Sequence, residues 1–326
     1  MSASDSVITI TKAHILRHAP TKSAAGWPAA VMDVGQDLLL RHLAECGVLD
    51  LVAFKGGTSI RKVYAGAGGR FSTDLDFSIA NLNDNPATVL DMVTDSIKGT
   101  EIGPFRFDIE RRRERPEIVY HYQGDTSGTG ALRSKLDVGP PPWLAPELKR
   151  WVPAAIHRQY GGALPPLPVV DLAENVAEKI ARLNRASFAR DAFDLVWLSS
   201  TPGLPELDRT LVRRLVVLKC WVDLNGLTAP SGVTWSAPLP NARPFDPDRW
   251  IRKRGAKDFD DESIGLLTTP PPSLEELGAQ LAERYRWLAV GLTDDELAVA
   301  RCDEGDRRLV LGMLSQLPGR RVVDVW

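Results

Sequence analysis

The 326-residue chain is 44% hydrophobic and 25% charged, the balance of a water-soluble protein with length enough for two domains. Its net charge of −2 provides no global field to recruit nucleic acid, so any such contact must come from local patches. Three scattered cysteines (Cys46, Cys220, Cys302) and five histidines without zinc spacing argue against a disulfide framework and a zinc site.

Residues 1–25 read as a polar lead-in with a short helix near 12–17. The absence of an apolar h-region and of any long uncharged apolar run leads us to expect neither signal peptide nor membrane span, and a cytoplasmic location. Residues 28–46 predict a scaffold helix whose Val31, Val34, Leu38 and Cys46 share a face, with Gly47 after its end. A short buried strand, 51–54, delivers the turn Gly56-Gly57, and a helix over 58–65 follows with Thr58 or Ser59 as N-cap. Gly66–Gly69 breaks it, and 73–79 reads as a strand carrying Asp74 and Asp76.

A helix over 87–97 precedes antiparallel strands over 105–113 and 117–123, and a third strand, 132–138, follows a Gly/Ser/Thr-rich turn. Residues 143–168, rich in Pro, Gly and Trp, predict a linker or lid with little regular structure. Helices are then expected over 172–186, 189–198 and 207–224, a Pro-rich irregular stretch over 229–272, and closing helices over 274–288 and 294–314. The composition shift near 160–168 sets a mixed first domain, 1–165, apart from a mainly helical second, 166–326.

Strand side chains alternate, so Asp74 and Asp76 point one way while Leu75 and Phe77 point into the core. Two adjacent carboxylates repel, and a bound Mg²⁺, a hard cation that accepts carboxylates, water and phosphate oxygens, removes the conflict. The Gly-Gly turn offers backbone N–H groups with no Cβ in the way, as a triphosphate requires. Together they suggest a metal-plus-phosphate site. No Gly-x-x-x-x-Gly-Lys-[Ser/Thr] run occurs, which disfavours a P-loop enzyme. The run Arg111-Arg112-Arg113 with Arg115 reads either as an RNA-tracking patch or as protection of an edge strand, and Arg252-Lys253-Arg254 is open to the same two readings.

Gly56-Gly57-Thr58-Ser59 followed by Asp74-x-Asp76 resembles the nucleotidyltransferase superfamily of the DNA polymerase β type. The longer wording, Lys55 to Ile60 and Arg70 to Phe77, resembles the AbiEii/MenT toxins of type IV toxin–antitoxin and abortive-infection phage-defence systems. Glu174-x-x-Ala177-Glu178-Lys179-Ile180 and Arg190-Asp191-x-x-Asp194-Leu195 resemble a second block of that family.

The resemblance implies an α+β fold: a polymerase β-like core with a small mixed sheet, then a mainly helical C-terminal domain contributing to the active-site cleft. It implies nucleotide transfer from an NTP, dependent on Mg²⁺ or Mn²⁺, to an RNA 3′-hydroxyl, foremost the tRNA 3′ end, which blocks aminoacylation and translation, and it implies a cognate antitoxin. Gly56, Gly57, Thr58, Ser59 and Arg70 would then bind nucleotide, Lys179 would reach its phosphates, and Asp191 would support the same site, with Asp194 as its rival.

Transfer of this type needs a third acid beside Asp74 and Asp76, and Asp137 on a neighbouring strand is the candidate; its other reading is a surface ion pair. Arg70 could equally brace Asp74 in a salt bridge, and the Asn175/Lys179/Arg182 face could be a solvated helix face. Transfer to a protein, antitoxin or self, and a catalytically silent nucleotide-binding module stand as rival functions.

Overall fold

Three adjacent strands form the centre of the sheet that carries the carboxylates. They are β1 (Val52–Lys55), β2 (Leu75–Ile79) and β6 (Leu132–Gly139). Phe54, Leu75, Phe77, Leu136 and Val138 enter the hydrophobic core, and the alternate residues Lys55, Asp76 and Asp137 take the other face. The computed structural model describes residues 7–22, 26–124, 131–185, 189–228, 234–236, 250, 267 and 272–319.

The full sheet has eight strands in the order β3-β4-β5-β6-β2-β1-β8-β7. The others are β3 (Thr100–Ile102), β4 (Phe105–Arg112), β5 (Arg115–Tyr122), β7 (Glu147–Lys149) and β8 (Leu167–Val169). It is mixed: β2 runs parallel to β6 and β1 parallel to β8, and the remaining pairs are antiparallel. The sheet is larger than the small one expected, because residues 143–168 are not a structureless linker. They supply β7, β8 and a 3₁₀ turn, Ala155–Gln159, and bury Trp151, Ile156, Tyr160 and Leu167 in the core. Three-residue strands, one of them interrupted by Pro168, show no readable period.

The arginine run lies at a hairpin tip, where Arg113 and Glu114 adopt φ of 49° and 67° between β4 and β5. Strand β3 pairs only with Phe105–Phe107 of β4, so among the described residues Arg111 and Arg112 lie on a stretch of β4 with a partner, β5, on one side only, as the edge-strand reading expects. The second basic run, Arg252-Lys253-Arg254, lies outside the described residues, as does most of 229–272.

Helix α2 (Gly26–Glu45) covers the core through Val31, Val34, Leu38, Leu39 and Leu43. At Gly35 a Cβ would lie 2.7 Å from Tyr120 Cδ1, so the glycine lets the helix approach β5. Helix α1 (Lys12–His18) packs on α2, and helix α4 (Pro86–Ile97) starts with Pro86 behind an Asn85 cap.

The chain divides into two compact units, one of Met1–Gly139, Glu147–Val169 and Leu266–Pro270, the other of Pro140–Pro146, Val170–Gly265 and Pro271–Trp326. In the second unit α5 (Leu172–Arg185), α6 (Ala189–Ser200) and α7 (Arg209–Asn225) follow one another, with Asp208 capping α7. The closing helix expected over 294–314 is two, Asp294–Val299 and Arg307–Ser315, broken where Cys302 takes a φ of 58°. Among the described residues, no helix is long and apolar enough to cross a membrane.

The apolar face of α2 hides a second feature that its hydrophobic pattern did not reveal. Asp33 and Asp37, one turn apart, are buried and hold a cationic network. Asp33 accepts from His18 Nε2, Arg61 Nε and Lys62 Nζ, each at 2.7 Å. Lys62 Nζ also lies 2.6 Å from Asp37 Oδ1, and the Tyr160 hydroxyl donates to Asp37 Oδ2 at 2.6 Å. Arg61 Nη1 donates onward to the carbonyls of Gly66 and Gly69, and its guanidinium stacks 3.6 Å from the Phe71 ring centre. One strongly bonded arginine therefore fixes the loop between the glycine turn and the Asp-x-Asp strand.

Burial works to raise the pKa of Asp33, but Lys62, Arg61 and the His18 hydrogen bond outweigh it and hold the carboxyl well below its ordinary value. Asp37 is lowered in the same way, against burial, chiefly by Lys62. A folded-state pKa below the unfolded value of about 3.9 gives stability that is present above that pH and lost as pH falls through the folded value. We therefore predict that the protein loses stability progressively below about pH 4, and that Asp33→Asn costs roughly 3–5 kcal/mol at neutral pH by stranding buried cations. Urea melts of both proteins at pH 7 and pH 3 test this; an Asp33→Asn midpoint equal to wild type at pH 7 contradicts it.

Candidate functional site

Register assembles the site. In the parallel pairing of β2 with β6, Asp76 stands opposite Asp137; in the antiparallel pairing of β1 with β2, Lys55 stands opposite Asp76. Lys55, Asp76 and Asp137 thus form a row across three strands on one face, and Asp74 lies two residues before Asp76. Asp137 is exposed, and Asp74 and Asp76 are half-buried. The Lys55 ammonium reaches across β2, since a Cβ at Gly139 would lie 3.2 Å from its Nζ. In sequence Lys55 stands out only as the start of the glycine motif; its strand position makes it the cation set into an acidic row.

The two glycines are required for different reasons. Gly56 has a φ of 79°, and a Cβ there would lie 2.7 Å from Asp76 Oδ2. A Cβ at Gly57 would lie 2.1 Å from Arg70 Nη2, so the buried Arg70 guanidinium rests against the bare backbone of the turn. The helix α3 (Gly56–Ile60) begins at Gly56 with Lys55 in the N-cap position, which corrects the expectation that Thr58 or Ser59 caps it. Those hydroxyls are used otherwise. Thr58 Oγ1 donates to the Asp74 carbonyl, and Ser59 Oγ donates to the Gly56 carbonyl at 2.9 Å. The helix continues as a π turn, Arg61–Ala65, which brings Arg61 and Lys62 to Asp33.

The strand of acids is held from behind. Gln36 Nε2, from α2, donates to the carbonyls of Ser72 and Thr73 at 3.2 and 3.0 Å. Tyr120 is buried with its hydroxyl 2.8 Å from Ser134 Oγ; burial, and then the charge of Asp74, push its pKa up, so it remains a neutral phenol.

The Asp137 side chain makes no hydrogen bond or ion pair among the described residues. Its neighbour Arg133 pairs instead with Glu110 at 3.0 Å, which removes the surface ion-pair reading of Asp137. Among the described residues, no group of three or more His, Cys, Asp and Glu side chains is drawn together in a ready metal cage.

In the second unit, Lys179 Nζ lies 2.9 Å from Asp191 Oδ1 and 2.8 Å from Asp194 Oδ2. Both aspartates hold the lysine. Lys179 is 3% exposed and Asn175 2%, so this face of α5 is not solvated; Arg182, partly exposed, lies 3.6 Å from Asp191. Glu174, fully buried, accepts the backbone N–H groups of Trp143 and Leu144 at 2.9 and 2.8 Å and the Lys219 ammonium at 2.9 Å. Burial works to lower the pKa of Lys219, but Glu174 and Glu178 raise it overall, and the ammonium sits 4.2 Å from the Trp143 ring centre. Charged residues on a buried helix thus carry their own counter-ions.

Two substitutions follow. Gly56→Ala forces a left-handed Cβ into Asp76, and we predict a loss of about 1–3 kcal/mol in stability. Lys179→Ala leaves Asp191 and Asp194 facing each other in the interior, with an expected cost of roughly 3–5 kcal/mol. Differential scanning calorimetry checks both; melting temperatures unchanged from wild type refute the geometry described.

A family model described as the nucleotidyl transferase AbiEii toxin of type IV toxin–antitoxin systems matches residues 37–285, a span that holds the glycine turn, the acidic row and Lys179. Among solved structures, MenT4, a nucleotidyltransferase toxin from Mycobacterium tuberculosis, is similar at 34% sequence identity and a TM-score of 0.77, over 94% of this chain and 99% of that one. No match is found among curated proteins. The chain belongs to the AbiEii family, the nucleotidyltransferase toxins of type IV toxin–antitoxin systems.

Proposed function

We propose that this toxin moves a nucleotide from an NTP to the 3′-hydroxyl of an RNA, foremost the 3′ end of tRNA, with Asp74, Asp76 and Asp137 as ligands for Mg²⁺ or Mn²⁺. One observation carries the reading: the register that sets Asp76 beside Asp137 while Asp137 has no partner among the described residues. The donor set fits the ion, since carboxylate oxygens on one face suit a hard divalent cation. When bound, such an ion would offset the triphosphate charge and polarise the reacting phosphoryl group.

The chain's own residues supply the rest. The Gly56-Gly57 turn presents backbone without side chains to the nucleotide phosphates, and Arg70 backs the turn with positive charge. Asp137, exposed and close to Asp76 in register, takes the proton of the attacking hydroxyl. The bond from the 3′-oxygen to the α-phosphorus forms, the α–β bridging bond breaks, and pyrophosphate leaves with its electron pair. We assign Thr58 and Ser59 to shaping the turn, and Lys179, steadied by Asp191, to the nucleotide phosphates. Residues 1–165 then form the nucleotidyltransferase domain and 166–326 the helical domain. A tRNA extended at its 3′ end cannot be aminoacylated, translation stops, and a cognate antitoxin opposes the effect.

Incubation with total tRNA, Mg²⁺ and each labelled NTP in turn tests the reading, with label expected on RNA. Label on protein establishes a protein acceptor instead, and no label with any NTP establishes a silent binding module. In single-turnover transfer, Asp137→Asn should be slower by about a hundredfold or more, with nearly unchanged NTP affinity. A normal rate removes Asp137 from the site.

A further inference from the structure

The first unit contains a basic pocket whose lining shares no residue with the glycine turn or the acidic row. It lies where helix α1 meets the 3₁₀ turn Ala155–Gln159, has a volume of about 270 Å³, and is lined by His14, Arg17, His18, Arg158 and Gln159 among others, with no carboxylate among the described residues of its wall. Its two segments are tied together: Thr9 N donates to the Gln159 carbonyl at 2.9 Å, and Thr9 Oγ1 lies 3.0 Å from Gln159 Oε1.

The polar lining is led by two guanidinium groups. Arg158 is exposed and makes no hydrogen bond or ion pair among the described residues. Arg17 is exposed and spends only its Nε, on the Ala13 carbonyl of its own helix at 3.3 Å. His14 Nδ1 donates to the Thr9 carbonyl at 3.1 Å, so Nε2 offers a proton only in the imidazolium form. Thr9 occupies Gln159 Oε1, which leaves the amide nitrogen. His18 is a fixed wall, its Nε2 held by Asp33 at 2.7 Å.

Some cations of this unit have carboxylate partners, Arg41 with Glu45, Arg61 and Lys62 with Asp33, Arg133 with Glu110, while others, such as Lys98 and Lys135, are exposed singly; Arg17 and Arg158 differ from the latter in lining one cavity. Two guanidinium groups without a carboxylate partner among the described residues, from positions 141 residues apart in a chain of net charge −2, line one concave site. Guanidinium forks match phosphate oxygens two at a time, and the cavity is at the small end of ligand sites, suited to a phosphate group with little attached.

We propose that this pocket binds a phosphate group, and that an RNA phosphodiester supplies it. The choice of RNA as the source rests on the acceptor reading above; the phosphate chemistry does not.

The test uses the full chain and an Arg17→Ala/Arg158→Ala double variant, with both proteins checked for equal melting temperature. A short fluorescent single-stranded RNA is titrated by anisotropy over a range of salt, and inorganic phosphate is titrated by chemical-shift changes. The expected result is RNA affinity roughly tenfold weaker in the variant, with a slope of log affinity against log salt reduced by about 0.7 for each phosphate lost. If wild type binds inorganic phosphate but no RNA, and the variant loses the phosphate, the pocket stands and the RNA-acceptor reading fails. Equal binding of both probes by wild type and variant, or binding of neither by wild type, overturns the proposal. Arg158→Lys, which keeps charge but not the fork, should recover only part of the affinity.

Discussion

The constraint on which this structure depends is negative charge concentrated on one face at the centre of a sheet. Neighbouring strands are about 4.8 Å apart, and two carboxylates at that spacing repel by up to roughly 3 kcal/mol at an effective dielectric of 20, less at exposed Asp137. The chain accepts this repulsion and builds around it. Lys55 is set into the row from β1. Gly56 gives up its side chain so that Asp76 keeps its place, and Gln36 and Thr58 anchor the backbone on which Asp74 stands.

The supporting charges are buried, and this is a choice with consequences. Taking Asp33, Asp37, Arg61 and Lys62 out of water costs several kcal/mol per ion, largely offset by their mutual attraction and hydrogen bonds. What the network contributes beyond that is geometry. Arg61 binds two loop carbonyls and stacks on Phe71, so the path from the glycine turn to Asp74 has little freedom. The second unit uses the same device twice, in Lys179 with Asp191 and Asp194, and in Glu174 with Lys219 and the Trp143-Leu144 backbone.

Much of this was legible in the sequence where a long period or a stiff local rule applied. The strands carrying Asp76 and Asp137, the hairpin after residue 105 and the helices around Lys179 follow from alternation and helical spacing. Strands β7 and β8 were hidden because three residues carry no period, and β8 contains a proline. The helix start was misplaced because hydroxyls that look like caps are spent on the turn and the acid strand. Asp33 and Asp37 were missed for a different reason: their partners Arg61, Lys62 and Tyr160 are far away in sequence, and only tertiary structure pairs them. The i,i+4 spacing of two acids on an otherwise apolar helix was the one available signal.

The central claim is that the Asp76–Asp137 row is a divalent-cation site. Electron paramagnetic resonance of Mn²⁺ titrated into the full chain with a non-hydrolysable NTP tests it without any transfer reaction. The account predicts tightly bound Mn²⁺ in wild type and much weaker binding in both Asp76→Asn and Asp137→Asn. Equal Mn²⁺ affinity in all three proteins would contradict it.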